Sequence, residues 1–260
     1  ARANVPYPVL LVVGGGLVGL QPWAPHVTVD PQLVFLGVLP PLLYAAAFNT
    51  EWRAFRRQLR AIMLLSVGLV LFTTALVAWA AHDWIGLPWP QAFILGAIVS
   101  PPDAVAAISV TRRLRVPDVI TTILEGESLV NDASALVALR LAVAAAVGGA
   151  VGWWQAGLDF VLVSAGGVAV GLAGAWLVVR LHRWLDRTGL GDAKTNIAIT
   201  LLTPYAVYLP AEHLHLSGVL ASVSAGLWVG SRCSRVFSRE LYAEARAVWD
   251  EFRKLPDGAR

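Results

Sequence analysis

Long apolar stretches alternate with short polar ones from the N-terminal end of the chain to about residue 230. A helix needs about 20 apolar residues to cross a bilayer. Eight stretches approach that length, at roughly 6–22, 31–49, 61–81, 89–111, 118–147, 158–181, 195–211 and 214–230. The pattern predicts an all-α, polytopic membrane protein with about eight transmembrane helices over 1–230 and a polar tail over 231–260. The first stretch and the last two are short, and Pro204 and Pro210 predict a broken or re-entrant seventh.

The fourth stretch, QAFILGAIVSPPDAVAAISV, contains two faults for a membrane helix. Pro101 and Pro102 lack N–H groups and clash with the preceding turn. Asp103 places a carboxylate in hydrocarbon, which is costly. Together they predict a helix unwound at Ser100–Asp103, near the middle of its span. Freed backbone groups are tolerated at that depth only where they are buried in protein or line a cavity. Discontinuous helices of this kind hold ions in secondary transporters. Asp103 also fits a cap on the second half-helix, whose positive end favours an anion.

Composition supports the membrane reading. Hydrophobic residues make up 57% of the chain and charged ones only 14%, against about 25% charged in soluble domains. The single cysteine, Cys233, excludes an intrachain disulfide framework and a cysteine-based metal site. The N-terminal ARANVPYPVLL shows no signal-peptide cleavage pattern.

The sequence pI is about 9.4, and the location of the basic residues explains it. Nineteen of the 20 Lys and Arg residues lie at alternate junctions: near Arg2, around Arg53–Arg60, around Arg112–Arg115, from Arg180 to Lys194, and after Arg232. The loops 23–30, 82–88, 148–157 and 212–213 contain none. This positive-inside alternation predicts a multi-pass protein of the cell membrane with both termini in the cytoplasm. Basic residues spread over five loops do not form a nucleic-acid footprint. The tail mixes charge with Val236, Phe237, Leu241, Val248, Trp249 and Phe252, a weak amphipathic stripe suited to a membrane surface.

The fifth stretch carries Glu125-Gly126-Glu127-Ser128-Leu129-Val130-Asn131-Asp132. On a helix Ser128, Asn131 and Asp132 share a face, with Glu127 and Asn131 one turn apart beside it. A hydroxyl, an amide and a carboxylate at one depth supply oxygen ligands, which hard cations such as Na+ prefer. Asp132 and Ser128 are therefore the candidate Na+ ligands. The twentieth basic residue, Arg140, lies inside the fifth stretch. It lies about 12 Å beyond Asp132 at 1.5 Å per residue, where it either snorkels outward or pairs with a carboxylate. His213 and His215 fit a solvated loop. The glycine pairs Gly15…Gly19 and Gly167…Gly171 fit close helix packing.

These residues resemble the monovalent cation:proton antiporter family, which includes bacterial sodium/proton antiporters and sodium/proton exchangers. LPPLLYAAAF (39–48), GAIVSPPDAVAA (96–107), LEGESLVNDASALV (124–137) and HLSGVLASVSAGLWVG (215–230) carry the likeness. The resemblance implies exchange of Na+, or of K+ or Li+, for H+ by alternating access, with no cofactor besides the transported ions. It implies that Asp132 binds cation and proton in turn, that Asn131 supports it and marks the electroneutral branch, and that Ser128 and the backbone at Pro102 supply oxygens. Asp103 would shape the site. Glu127 would hold a structural ion pair, and Arg140 is grouped with it as an ion-pair residue. The family fold is built from inverted repeats and its members form homodimers. The chain looks like a truncated member, lacking the first and last family helices and the arginine expected opposite Glu127.

Two other readings stay open. A membrane fragment that only packs or oligomerises would transport nothing. An intramembrane aspartyl protease would need Asp103 and Asp132 close enough to share a proton. The Asn131-Asp132 pair and the Pro-Pro break do not favour a protease, and no Gly-x-Gly-Asp element is present.

Overall fold

The computed structural model describes residues 7–21, 36–102, 111, 116–148, 152–189, 192–236 and 249. Regular structure among them is entirely helical. In chain order the helices are α1 (Tyr7–Gly19), α2 (Leu39–Asn49), α3 (Trp52–Arg57), α4 (Leu59–Ile85), α5 (Trp89–Val99), α6 (Asp118–Gly148), α7 (Trp153–Thr188), α8 (Ala193–His213) and α9 (Gly218–Val236). Each apolar stretch predicted from the sequence coincides with at least part of one of them. Among the described residues α4, α6 and α7 are long and apolar enough to cross a membrane, while α5 is a shorter apolar helix. Leu64, Phe72 and Trp79 on α4 and Val161, Leu162 and Leu177 on α7 face outward, as a lipid solvent requires.

Local chemistry sets the helix ends. α4 tightens and widens along its length, with π-helical turns at Leu64–Leu69 and Ala81–Ile85. It stops at Gly86, whose φ of 79° is left-handed, and the Leu87 N–H folds back to the Ala81 carbonyl at 3.3 Å. Asp192 caps α8 by accepting the Thr195 N–H at 3.0 Å. α8 then runs unbroken through Pro204 and Pro210 to His213, so the predicted break is absent. The hydroxyls of Thr200 and Thr203 donate to the carbonyls of Asn196 and Ile199 just upstream of Pro204. Membrane helices keep a proline by such side-chain support and by packing.

The helices form two groups. In the first, α9 packs against α2, α7 and α8 through Tyr44, Phe48, Ala175, Val179, Val207, Ala221, Ala225 and Val229. Gly167 and Gly171 lie against the backbone of Ser217 and Ala221, so this glycine pair does bring two helices together. The pair Gly15 and Gly19 meets nothing among the described residues. Trp249 is buried with its ring 4.9 Å from that of Tyr44. In the second group, α4, α5 and α6 associate; Gly96 sits on the Thr74 backbone and Gly126 on the side chains of Ile62 and Phe55. The two groups meet where Leu129, Val130, Ala133 and Val137 of α6 pack with Tyr208, Val219, Leu220 and Val223.

Candidate functional site

α5 loses its ladder where the prolines begin. The Ser100 N–H still reaches the Gly96 carbonyl at 3.0 Å, and the Ser100 hydroxyl donates to Ala97 at 3.2 Å. Ser100, Pro101 and Pro102 are then non-helical. The Pro102 carbonyl, past the end of α5, is held by a neighbouring helix. It accepts a hydrogen bond from Asn131 Nδ2 of α6 at 3.0 Å. Asp103, the predicted cap of the second half-helix, lies outside the described residues.

Asn131 is fully buried, and both ends of its amide are used. While Nδ2 holds the break, Oδ1 accepts the backbone N–H of Asp132 at 2.6 Å. These two bonds fix the side-chain orientation and connect the α5 break directly to the next residue, Asp132.

The polar positions of α6 divide between two faces. Glu127, Asn131 and Ser134 point inward, at 8%, 0% and 3% exposure. Ser128 is half-buried and Asp132 is exposed. Sequence spacing puts Ser128, Asn131 and Asp132 on one face, but a helix turns 100° per residue and the packing boundary falls between Asn131 and Asp132. The donor set around this boundary is a hydroxyl, an amide, a carboxylate and a backbone carbonyl. No group of three or more His, Cys, Asp or Glu side chains suited to a metal occurs among the described residues. Such an oxygen set suits a weakly held hard cation better than a transition metal.

Farther along α6, Arg140 Nη2 donates to Glu212 Oε2 at 2.6 Å. The other carboxylate oxygen, Oε1, accepts the Gly218 N–H at 3.0 Å. Glu212 therefore joins α6, the end of α8 and the start of α9. Arg140 and Glu127 were grouped as ion-pair residues from the sequence. Thirteen positions separate them on one helix, about 20 Å at 1.5 Å per residue, so they are not each other's partners; Arg140 pairs with a carboxylate, one of the two outcomes expected for it, and that carboxylate is Glu212.

The family model for the transmembrane sodium/hydrogen exchanger matches residues 1–255. The chain belongs to the sodium/hydrogen exchanger family. It is 38% identical over 225 residues to the sodium, potassium, lithium and rubidium/H+ antiporter of Bacillus pumilus (strain SAFR-032), covering 86% of this chain and 33% of that protein. It is 32% identical over 237 residues to the Na+/H+ antiporter ApNhaP of Aphanothece halophytica, covering 90% of this chain and 44% of that protein. The chain thus spans a third to a half of the length of these relatives. The solved sodium proton antiporter MjNhaP1 of Methanocaldococcus jannaschii superposes with a TM-score of 0.67 at 21% identity, over 96% of this chain and 61% of that one. That likeness establishes the fold.

In this member of the exchanger family, sequence reasoning missed Glu212. The available signal was Arg140 itself, a lone cation within an apolar stretch, together with the acid in PAEHLHLSG. His213 and His215 beside it are exposed, as expected.

Proposed function

We propose that this chain carries the cation site of a secondary transporter that exchanges Na+, or K+ or Li+, for H+ by alternating access, with Asp132 taking cation and proton in turn. The observation that carries this reading is the Asn131–Pro102 hydrogen bond across the helix break, one residue from Asp132. A lone carboxylate holds a monovalent cation weakly. A broken helix adds carbonyl oxygens and half-helix ends at the same depth. The Ser128 hydroxyl, one turn before Asp132, supplies a further oxygen, and Asp103 shapes the field at the break. Glu127 serves as a buried structural charge. The cation range follows the Bacillus pumilus relative, a sodium, potassium, lithium and rubidium/H+ antiporter. The ions are substrates, and no resident cofactor enters the cycle.

The test is exchange in proteoliposomes by the full polypeptide that carries this chain, read with a trapped pH dye. Asp132→Asn should abolish Na+-driven proton movement, because a neutral amide neither accepts a proton nor balances a cation. A well-folded Asp132→Asn protein exchanging at the parent's rate would overturn the reading.

A further inference from the structure

The two ends of the contact between the helix groups differ. At one end lies a cavity of about 970 Å³, walled by Met63 of α4, Val130 of α6 and Leu220 and Leu227 of α9, with Arg53, Arg56 and Arg232 at its rim. At the other end the groups are sealed. Ala133 and Val137 of α6 pack against Tyr208 of α8 and Val219 of α9, and the Arg140–Glu212 pair closes over them. Both chains of position agree on polarity. Along α6, Arg140 lies ten residues beyond Val130, about 15 Å. Along α9, Gly218 lies fourteen residues before Arg232, about 21 Å. The arginine rim and the Arg140–Glu212–Gly218 cluster therefore occupy opposite ends of the same seam, and the cavity runs from that rim up to Leu220.

From this we infer that Arg140 and Glu212 form the lock on the side away from the basic rim, holding the protein open toward that rim until the pair breaks. They are positioning residues: they touch no transported ion, and they act by setting which side Asp132 faces. The inference deepens the transport reading above and rests on it for direction, with the basic rim on the cytoplasmic side.

Three features make this pair suited to a reversible lock. It joins helices of the two groups, whereas a pair within one group would not register their relative motion. Glu212 is already held by the Gly218 N–H at the start of α9, so its carboxylate is pre-positioned whether or not Arg140 is present. The side chains are 46% and 27% exposed, so the pair is not enclosed by the protein on all sides. A fully buried pair would be too costly to break; a partly exposed one biases an equilibrium by a modest amount. A ligand or contact shifts two states only by its differential energy between them.

The test uses two reporter cysteines, one at a time, in a Cys233→Ser background of the full polypeptide. Val219→Cys reports on the sealed end and Leu227→Cys on the cavity wall. Membrane-impermeant thiol reagent is applied from the corresponding side without a Na+ gradient. Arg140→Gln should label severalfold faster at position 219 and slower at position 227, and Arg140→Lys should label like the parent. Faster labelling at both positions would mean general loosening and would overturn the lock. Unchanged labelling of folded Arg140→Gln protein would also overturn it, as would equal rates for Arg140→Gln and Arg140→Lys. Labelling needs no transport, so failure of the Asp132 test and failure of this one are distinguishable.

Discussion

The side chain of Asn131 reaches across from α6 to hold the carbonyl of Pro102 at 3.0 Å, where α5 has come undone. Pro102 has no N–H and lies past the end of α5. A fully buried amide is therefore one group that holds the break. A partly buried hydrogen bond contributes about 0.5–1.5 kcal/mol. Asn131→Ala should lower thermal stability in detergent by that amount. It should also weaken exchange more than the stability loss explains, because the break would drift from Asp132. Exchange retained at the parent's rate in Asn131→Ala would detach the break from the site. Asn131→Asp keeps the size but loses the Nδ2 donor, so it should be no better than alanine at holding Pro102.

Two glycines predict different responses to the same added methyl. A Cβ at Gly96 would strike the backbone carbonyl of Thr74, which cannot move without separating α4 from α5. A Cβ at Gly126 would come within 2.5 Å of Ile62 Cδ1, the end of a side chain rather than backbone. Overpacking typically costs about 1–3 kcal/mol. Gly96→Ala should fall at the top of that range or fail to fold, and Gly126→Ala near the bottom. Melting by heated size-exclusion chromatography would rank them, and equal losses would contradict the packing described here.

The break itself was readable in the sequence, because two adjacent prolines leave few alternatives inside an apolar stretch. Ser128, Asn131 and Asp132 were readable as well, as polar positions within an apolar stretch. The division between them was not. Asn131 and Asp132 differ by a 100° turn, and only the position of α5 decides which one is buried. Glu212 was hidden for a different reason: it is 72 residues from Arg140, and no local pattern links an acid at the end of one helix to a distant cation on another. The straight path of α8 contradicts its prolines because neighbouring helices and threonine hydroxyls support the backbone there.

The cap of α8 should respond to pH. Hydrogen bonds from Thr195, side chain first and backbone N–H second, hold the exposed Asp192 carboxyl below its ordinary range. A carboxylate with a depressed folded value stabilises above its unfolded value, near 4, and that contribution fades as pH falls through the folded value. The protection of the Thr195 amide, its exchange rate relative to the intrinsic rate at each pH, should therefore fall under acid conditions in the parent. Asp192→Asn, which caps without titrating, should flatten that dependence. An identical acid response in both proteins would assign it to another group.

Topology has a direct measurement. If the basic junctions are cytoplasmic, then in a Cys233→Ser background Arg57→Cys should react with an impermeant thiol reagent only from inside. Asp83→Cys, exposed at the far end of α4, should react only from outside. Both sites are on α4 or just before it, so they report opposite ends of one crossing. Reaction of both from the same side would remove the crossing, and the reverse pattern would invert the whole protein.

The most demanding prediction concerns competition at Asp132. One carboxylate cannot hold Na+ and H+ together, so each ion must weaken the apparent affinity for the other. By mass action, below the titration range of the carboxylate the apparent Na+ affinity should fall about tenfold for each pH unit. Above that range it should become independent of pH. Ser128→Ala removes a proposed Na+ oxygen while leaving the carboxylate, so it should weaken Na+ binding without moving the pH at which the slope appears. Asp132→Glu keeps a titratable group at a different reach and should alter the Na+ affinity while preserving the competition. Na+ affinity should be taken from exchange rates across a range of Na+ concentrations at each pH. An Na+ affinity flat with pH through the active range would mean that the two ions use different groups. The role proposed for Asp132 would then have to be divided.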